Sequence, residues 1–188
     1  MSKTAYSYTA GDFAGVAPDQ DILGEAALKS PNIATALHAV EAVNGGITFI
    51  FSGPLSAAEK SALDALIGVH PLAKVKTDKM EAIDARTIEL IDGGFAFAGE
   101  IFSLSLASQI SLLALDVLRN DPALVYPVVC NTLKDTGTFD LSDAATVHEF
   151  ALIAVDKYRS YKDSGTALKS LVRAAKTVAD VDVVQDKR

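Results

Sequence analysis

Three histidines, one cysteine and a scatter of aspartates are the side chains with which catalysis or metal binding would begin in this chain. His38, His70 and His148 lie far apart. No two fall at the spacing by which a helix or a loop presents paired ligands to zinc. His70 precedes Pro71 and reads as a helix-end residue, where a cation complements the helix dipole. Cys130 is the single cysteine, so it has no partner for an internal disulfide. Its context, Tyr126-Pro127-Val128-Val129-Cys130, is apolar, and there a thiol packs as a small hydrophobe. Asp78, Asp84, Asp92, Asp140 and Asp143 invite a calcium reading, but none belongs to a loop with regularly spaced oxygen ligands. They read instead as solvated faces and helix caps. Gly53-Pro54 and Gly93-Gly94 read as a turn and a cap; a phosphate-cradling glycine loop and a nucleophile elbow are both missing from the sequence. The expectation is a non-enzymatic protein with no catalytic residue, no metal and no cofactor. Arg86 is the charged residue that stands out, because it sits in an otherwise apolar-striped helix. It reads as structural, either in a surface pair with Glu89 or Asp92 or as a bridge to the hairpin backbone.

Composition narrows the partners. The net charge of −7 over 188 residues repels a phosphate backbone. Lys74, Lys76 and Lys79 are interrupted by Asp78 and followed by Glu81, so no basic cluster offsets it. Nucleic acid is therefore not expected. A hydrophobic content of 49% is enough for a packed core and more than a disordered chain carries. The mean hydropathy of +0.25 comes from Ala, Leu, Val and Ile spread along the chain. No run approaches the roughly 18 apolar residues of a membrane span. Met1-Ser2-Lys3-Thr4 leads into polar, tyrosine-bearing sequence that does not read as a signal peptide. The expectation is a chain made in, and soluble in, a cytoplasm, with no membrane partner.

The stretch 77–120 organises the rest. Met80, Ile83, Thr87, Leu90 and Ile91 recur at helical spacing. Gly93-Gly94 follows, where a glycine can take the left-handed conformation that ends a helix. Phe95 and Phe97 share one strand face, Gly99 makes a turn, and Ile101-Phe102 returns, which predicts a short hairpin. Phe95, Phe97 and Phe102 are expected to be buried and to join the helices on either side. Ser105 caps a second helix with Leu106, Ile110, Leu113, Ala114, Val117 and Leu118 as its apolar face.

This run, IDARTIELIDGGF then FAFAGEIFSLS then a helix, resembles a C-terminal domain of unknown function in bacteriophage proteins, often encoded in tail-fibre genes. The matching residues are Arg86, Gly94, Phe95, Phe97, Gly99 and Phe102. The resemblance continues through TLKDTGTFDLSDAATVHEF and the helices after it, so that it covers about the last three-fifths of the chain. Tyr126 stands at the family's aromatic position before a loop, and Lys134-Asp135 replaces its Asp-Asn pair. A shorter stretch, FSGPLSAAEKSALDALIGVHP, is similar to a second recurrent phage pattern of strand, capping box and helix. The resemblance implies a virion structural protein attached to the head, neck or tail-fibre apparatus. The alternative it leaves open is a tail-fibre assembly chaperone that departs before maturation. It also implies other virion proteins as partners, a homo-oligomer or symmetric multi-copy assembly, and location in the virion and, during assembly, the host cytoplasm.

The remaining chain supplies the frame. Residues 1–19 are polar with Tyr6, Tyr8 and Phe13 as anchors, and read as an arm that orders on a partner or as a frayed terminus. Residues 33–52 predict strand, Asn44-Gly45 turn, strand. Ser56-Ala57-Ala58-Glu59 is a capping box, and the helix it opens is expected to stop near Pro71, with 71–76 as a linker. Two small α+β units, 20–72 and 77–188, follow from that stop. An edge strand over 126–132 and a partner over 138–141 flank a turn at 134–137. Ser142 opens a helix with Val147, Phe150, Ala151, Ala154, Tyr158 and Tyr161 inward, and Ser164-Gly165 separates it from a last helix. Val181, Val183 and Val184 form an apolar tail, a second candidate for partner contact. The fold class is α+β, helix-rich with short antiparallel hairpins.

Overall fold

The computed structural model describes residues 3–133 and 137–188. The fold is α+β, with small antiparallel sheets of two or three strands and five α-helices among the described residues. The chain forms two compact units. Unit one holds the residues up to Met80 together with Leu171–Lys187; unit two holds Glu81–Ser170 and Arg188.

Unit one is built on a three-stranded sheet. Strands β2 (Leu37–Val43) and β3 (Gly46–Phe51) are joined at Asn44-Gly45, both with positive φ, the turn that suits strand twist. Strand β1 (Thr4–Tyr8) pairs antiparallel with the other edge of β3. Ile47, Phe49 and Phe51 alternate onto one face and are buried with Phe13, Leu23 of α1 (Gln20–Lys29), Leu63 and Ile67. The expected free arm is thereby corrected. The first residues complete a sheet, because β3 has two hydrogen-bonding edges and Tyr6 and Tyr8 reach aromatic partners on it.

Helix α2 (Ala57–Asp92) opens on the capping box. The Ser56 N–H donates to Glu59 Oε2 at 2.8 Å and the Glu59 N–H to Ser56 Oγ at 3.3 Å. The expected stop at Pro71, and with it the 71–76 linker, is overturned, since Pro71 lies inside the helix. Proline has no N–H for the Ile67 carbonyl and crowds it, a cost of about 3 kcal/mol. Leu63, Ile67, His70 and Pro71 are nevertheless all buried. They fall on one helical stripe, so burying that stripe favours carrying the same helical phase through the proline. The boundary between the units consequently falls within α2 rather than in a linker.

In unit two, Gly94 (φ +76) ends α2 as expected. A Cβ there would lie 2.1 Å from the Phe102 carbonyl oxygen, so both backbone conformation and space demand glycine. The hairpin of β4 (Phe95–Phe97) and β5 (Glu100–Phe102) follows, then α3 (Leu106–Leu118), whose Ser105 cap accepts from the Ser108 N–H. Strands β6 (Val128–Asn131) and β7 (Thr138–Leu141) pair; the turn expected between them, with the Lys134-Asp135 pair, lies on residues outside those described. Helix α4 (Ala144–Ala174) is capped one residue past the expected position: Asp143 Oδ1, not Ser142, accepts from the Thr146 N–H. The break expected at Ser164-Gly165 is also overturned. Glycine is there because a Cβ would meet Thr87 Oγ1 at 2.7 Å and Arg188 Nη1 at 2.9 Å, a packing requirement within a continuous helix. A short α5 (Val178–Asp182) with a Thr177–Asp180 capping box ends unit one.

The core of unit two is a ring cluster. Phe150 of α4 lies 5.1, 5.0 and 4.8 Å from the rings of Phe95, Phe97 and Phe102, and Phe139 meets Phe97 and Phe102 edge-on. The three hairpin phenylalanines are buried as expected. Their centre is Phe150, with Leu112, Leu115 and Ile91 packed around the margin.

Candidate functional site

The polar candidates disperse into structural work. His70 is buried, not a helix-end cation. Its Nε2 accepts from the Asp19 N–H at 3.0 Å and its ring meets Phe13 edge-on at 5.5 Å. Burial lowers its pKa, which keeps it neutral, as accepting from an N–H requires. His148 Nδ1 lies 2.9 Å from Asp116 Oδ1, which also takes Arg119 Nη1 at 3.1 Å. His38 contacts Lys3. Cys130 is half-buried, and burial pushes its thiol pKa up, away from the reactive thiolate. Asp84 takes Lys169 at 2.6 Å. Among the described residues no three His, Cys, Asp or Glu side chains gather as a metal site would require.

Arg86 pairs with Glu89 at 2.9 Å and donates from Nη2 to the Arg188 backbone carbonyl at 3.0 Å; the bridge it makes is to Arg188, not to the hairpin. The Arg188 guanidinium in turn donates to Thr87 Oγ1, the Tyr161 carbonyl and the Ile83 carbonyl at 3.0–3.1 Å. Gly99 takes its turn with positive φ beside Ala98.

The residues expected to reach a partner are mostly occupied. The Leu55 N–H donates to Tyr6 Oη at 2.8 Å, and Tyr8 Oη donates to Asp64 at 2.6 Å while accepting from Lys60. Burial and the Asp64 hydrogen bond push the Tyr8 hydroxyl up to about 12. Phe13, Val181 and Val184 are buried; Val183 alone of these is well exposed, at 75%.

The unoccupied apolar surface lies on α3. Leu106, Ile110, Leu113 and Val117 belong to the apolar face expected of this helix, and they are 60–73% exposed. The side turned to the Phe cluster is instead that of Leu112 and Leu115. A 13-residue helix that is apolar on two sides can lay only one of them on a core. Beside it, Leu152 and Val155 of α4 are each 55% exposed. Between the helices runs an open groove walled by Leu106, Ile110, Leu113, Leu152, Val155 and Tyr158. This is the largest gap in the sequence reading. The signal was present in the apolar residues at 112 and 115, which made α3 too hydrophobic for a single buried face.

The groove is mainly aliphatic, and Asp116 in its lining is engaged by His148 and Arg119. It can remove apolar surface from water, which is the chemistry of protein association. Searches of protein families, of curated proteins and of solved structures found no match to this chain.

Proposed function

We propose that this chain is a non-enzymatic structural subunit of a bacteriophage particle, attached to the head, neck or tail-fibre apparatus through protein–protein contact. The observation that supports it is the bare aliphatic face of α3 and α4. Solvent-facing apolar patches of this kind mark association surfaces. The phage context rests on the resemblance of the Arg86–Phe102 run and the helices after it. Mass spectrometry of purified particles of the phage that encodes the chain tests the reading. The expected result is the chain at a fixed ratio to other virion proteins after stringent washing. Its presence in infected-cell lysate and absence from particles would favour a tail-fibre assembly chaperone instead.

A further inference from the structure

We infer that the α3–α4 face is a self-association surface, on which the α3 of a second copy of this chain packs against the first in a two-fold arrangement. The inference rests on the reading of this protein as an association subunit and names the surface and the occupant.

Spacing is the first argument. Leu106, Ile110, Leu113 and Val117 are separated by four, three and four residues. That is the a/d repeat by which two helices interlock side chains along a seam. The order reads alike from either end, so an antiparallel pair matches Leu106 with Val117 and Ile110 with Leu113. A two-fold axis across the helix produces that match, because it sets one patch against itself.

Charge is the second argument. The whole chain carries −7, so two copies repel at long range and meet most easily where neither presents charge. Asp116 is the one charged side chain within α3, and it is engaged by Arg119 and His148. A basic or acidic partner finds nothing complementary there. A membrane surface, which favours basic residues on the polar flank of such a helix, finds none along Leu106–Leu118. A second uncharged aliphatic seam is matched, and this chain carries one.

Area is the third argument. The exposed parts of the four seam residues, with those of Leu152 and Val155, come to several hundred square ångströms, on the order of the ~800 Å² each partner supplies to a standard interface.

The test is the mass of the full-length protein in solution. Sedimentation equilibrium of the wild-type chain at roughly 10–100 μM, where an interface of standard size is populated, is expected to give a dimer or a larger even-numbered species. The double variant Ile110→Glu, Leu113→Glu is expected to halve the mass or to weaken association at least tenfold. Its circular dichroism spectrum, and its melting temperature compared at sub-micromolar concentration where association adds nothing to stability, should match wild type, because both side chains face water in the single chain. A wild-type chain that is monomeric throughout that range overturns the inference, as does a double variant that associates as strongly as wild type. A monomeric wild-type chain that floats with phosphatidylcholine vesicles also overturns it, in favour of lipid. Particle mass spectrometry reports separately on the virion reading. A monomer found in particles sinks the inference alone, and a dimer absent from them sinks the virion reading alone.

Discussion

The β4–β5 hairpin and α3 are neighbours in sequence and equally apolar, yet they meet opposite fates. Phe95, Phe97 and Phe102 are no more than 9% exposed, while four aliphatic residues a few positions later stand in water. The hairpin alternates, so its phenylalanines share one face and Phe150 closes that face with three rings at about 5 Å. Helix α3 carries apolar residues around most of its circumference, and the same core reaches only Leu112 and Leu115. Hydrophobicity in a sequence therefore measures the demand for cover, and only geometry says where the cover is found.

The largest expected effect is on the covered side. Phe150→Ala removes the ring that the hairpin converges on and should cost about 3–5 kcal/mol in chemical denaturation. A loss below 1 kcal/mol would mean the cluster is no core. Gly165→Ala comes next. Alanine gains about 1 kcal/mol of helix propensity over glycine, but its methyl meets Thr87 and Arg188 inside ordinary contact distance. A net loss of about 1–3 kcal/mol is expected from such overpacking. Adding Thr87→Ala should recover part of it, and a gain in stability from Gly165→Ala alone would show the site is loose.

Covering a polar group makes stability depend on pH. His70 has a lowered pKa in the folded chain, so its contribution is complete above the unfolded value near 6.5 and is lost as pH falls below it. NMR should find its ring still neutral where a free histidine is charged; titration at or above 6.5 would contradict the buried acceptor role. Hydrogen bonds from the Ser56 and Thr35 backbone and side chains hold Glu59 down to about 2. Its contribution is present above 4.5 and is lost between there and about 2. Glu59→Gln should flatten that acid limb in urea titrations. The smallest effect belongs to the bare side. Leu113→Ala should change monomer stability, measured at sub-micromolar concentration, by no more than about 0.5 kcal/mol. A loss near that of Phe150→Ala would erase the contrast between the two regions.

Much of the local structure was legible. Asn44-Gly45, the Ser56–Glu59 box, Gly94 and Ser105 each announce an end or a turn through the backbone groups they satisfy, and each does so in the structure. The β4–β5 hairpin followed from alternation, and the strands expected on either side of residues 134–137 pair with each other. What failed was set by distant partners. Pro71 and Ser164-Gly165 looked like breaks because their local cost is visible and the buried stripe or close neighbour that outweighs it is not. Tyr6, Tyr8 and Phe13 looked like an arm because β3, their partner, begins more than thirty residues after Phe13. The bare face of α3 was misread for the same reason. Periodicity found the apolar stripe on α3, but the competing contact of Leu112 and Leu115 with the ring cluster decided which side would be spare.

The make-up of unit one carries a consequence for synthesis. Its closing piece, Leu171–Lys187, follows a long insertion, Glu81–Ser170, that belongs wholly to unit two. Val172, Val181 and Val184 are buried residues of that piece, and Lys76 Nζ bonds the Arg173 carbonyl at 2.9 Å. A ribosome working at about 5–20 residues per second needs on the order of 5–20 s to cross those roughly 90 residues. The core of the sheet, from Phe13 to Ile67, is translated before that interval begins, whereas Val172, Val181 and Val184 come only after it. Folding on the ribosome should therefore start at the sheet and end at Leu171–Lys187, so that the unit begun first is also the one sealed last.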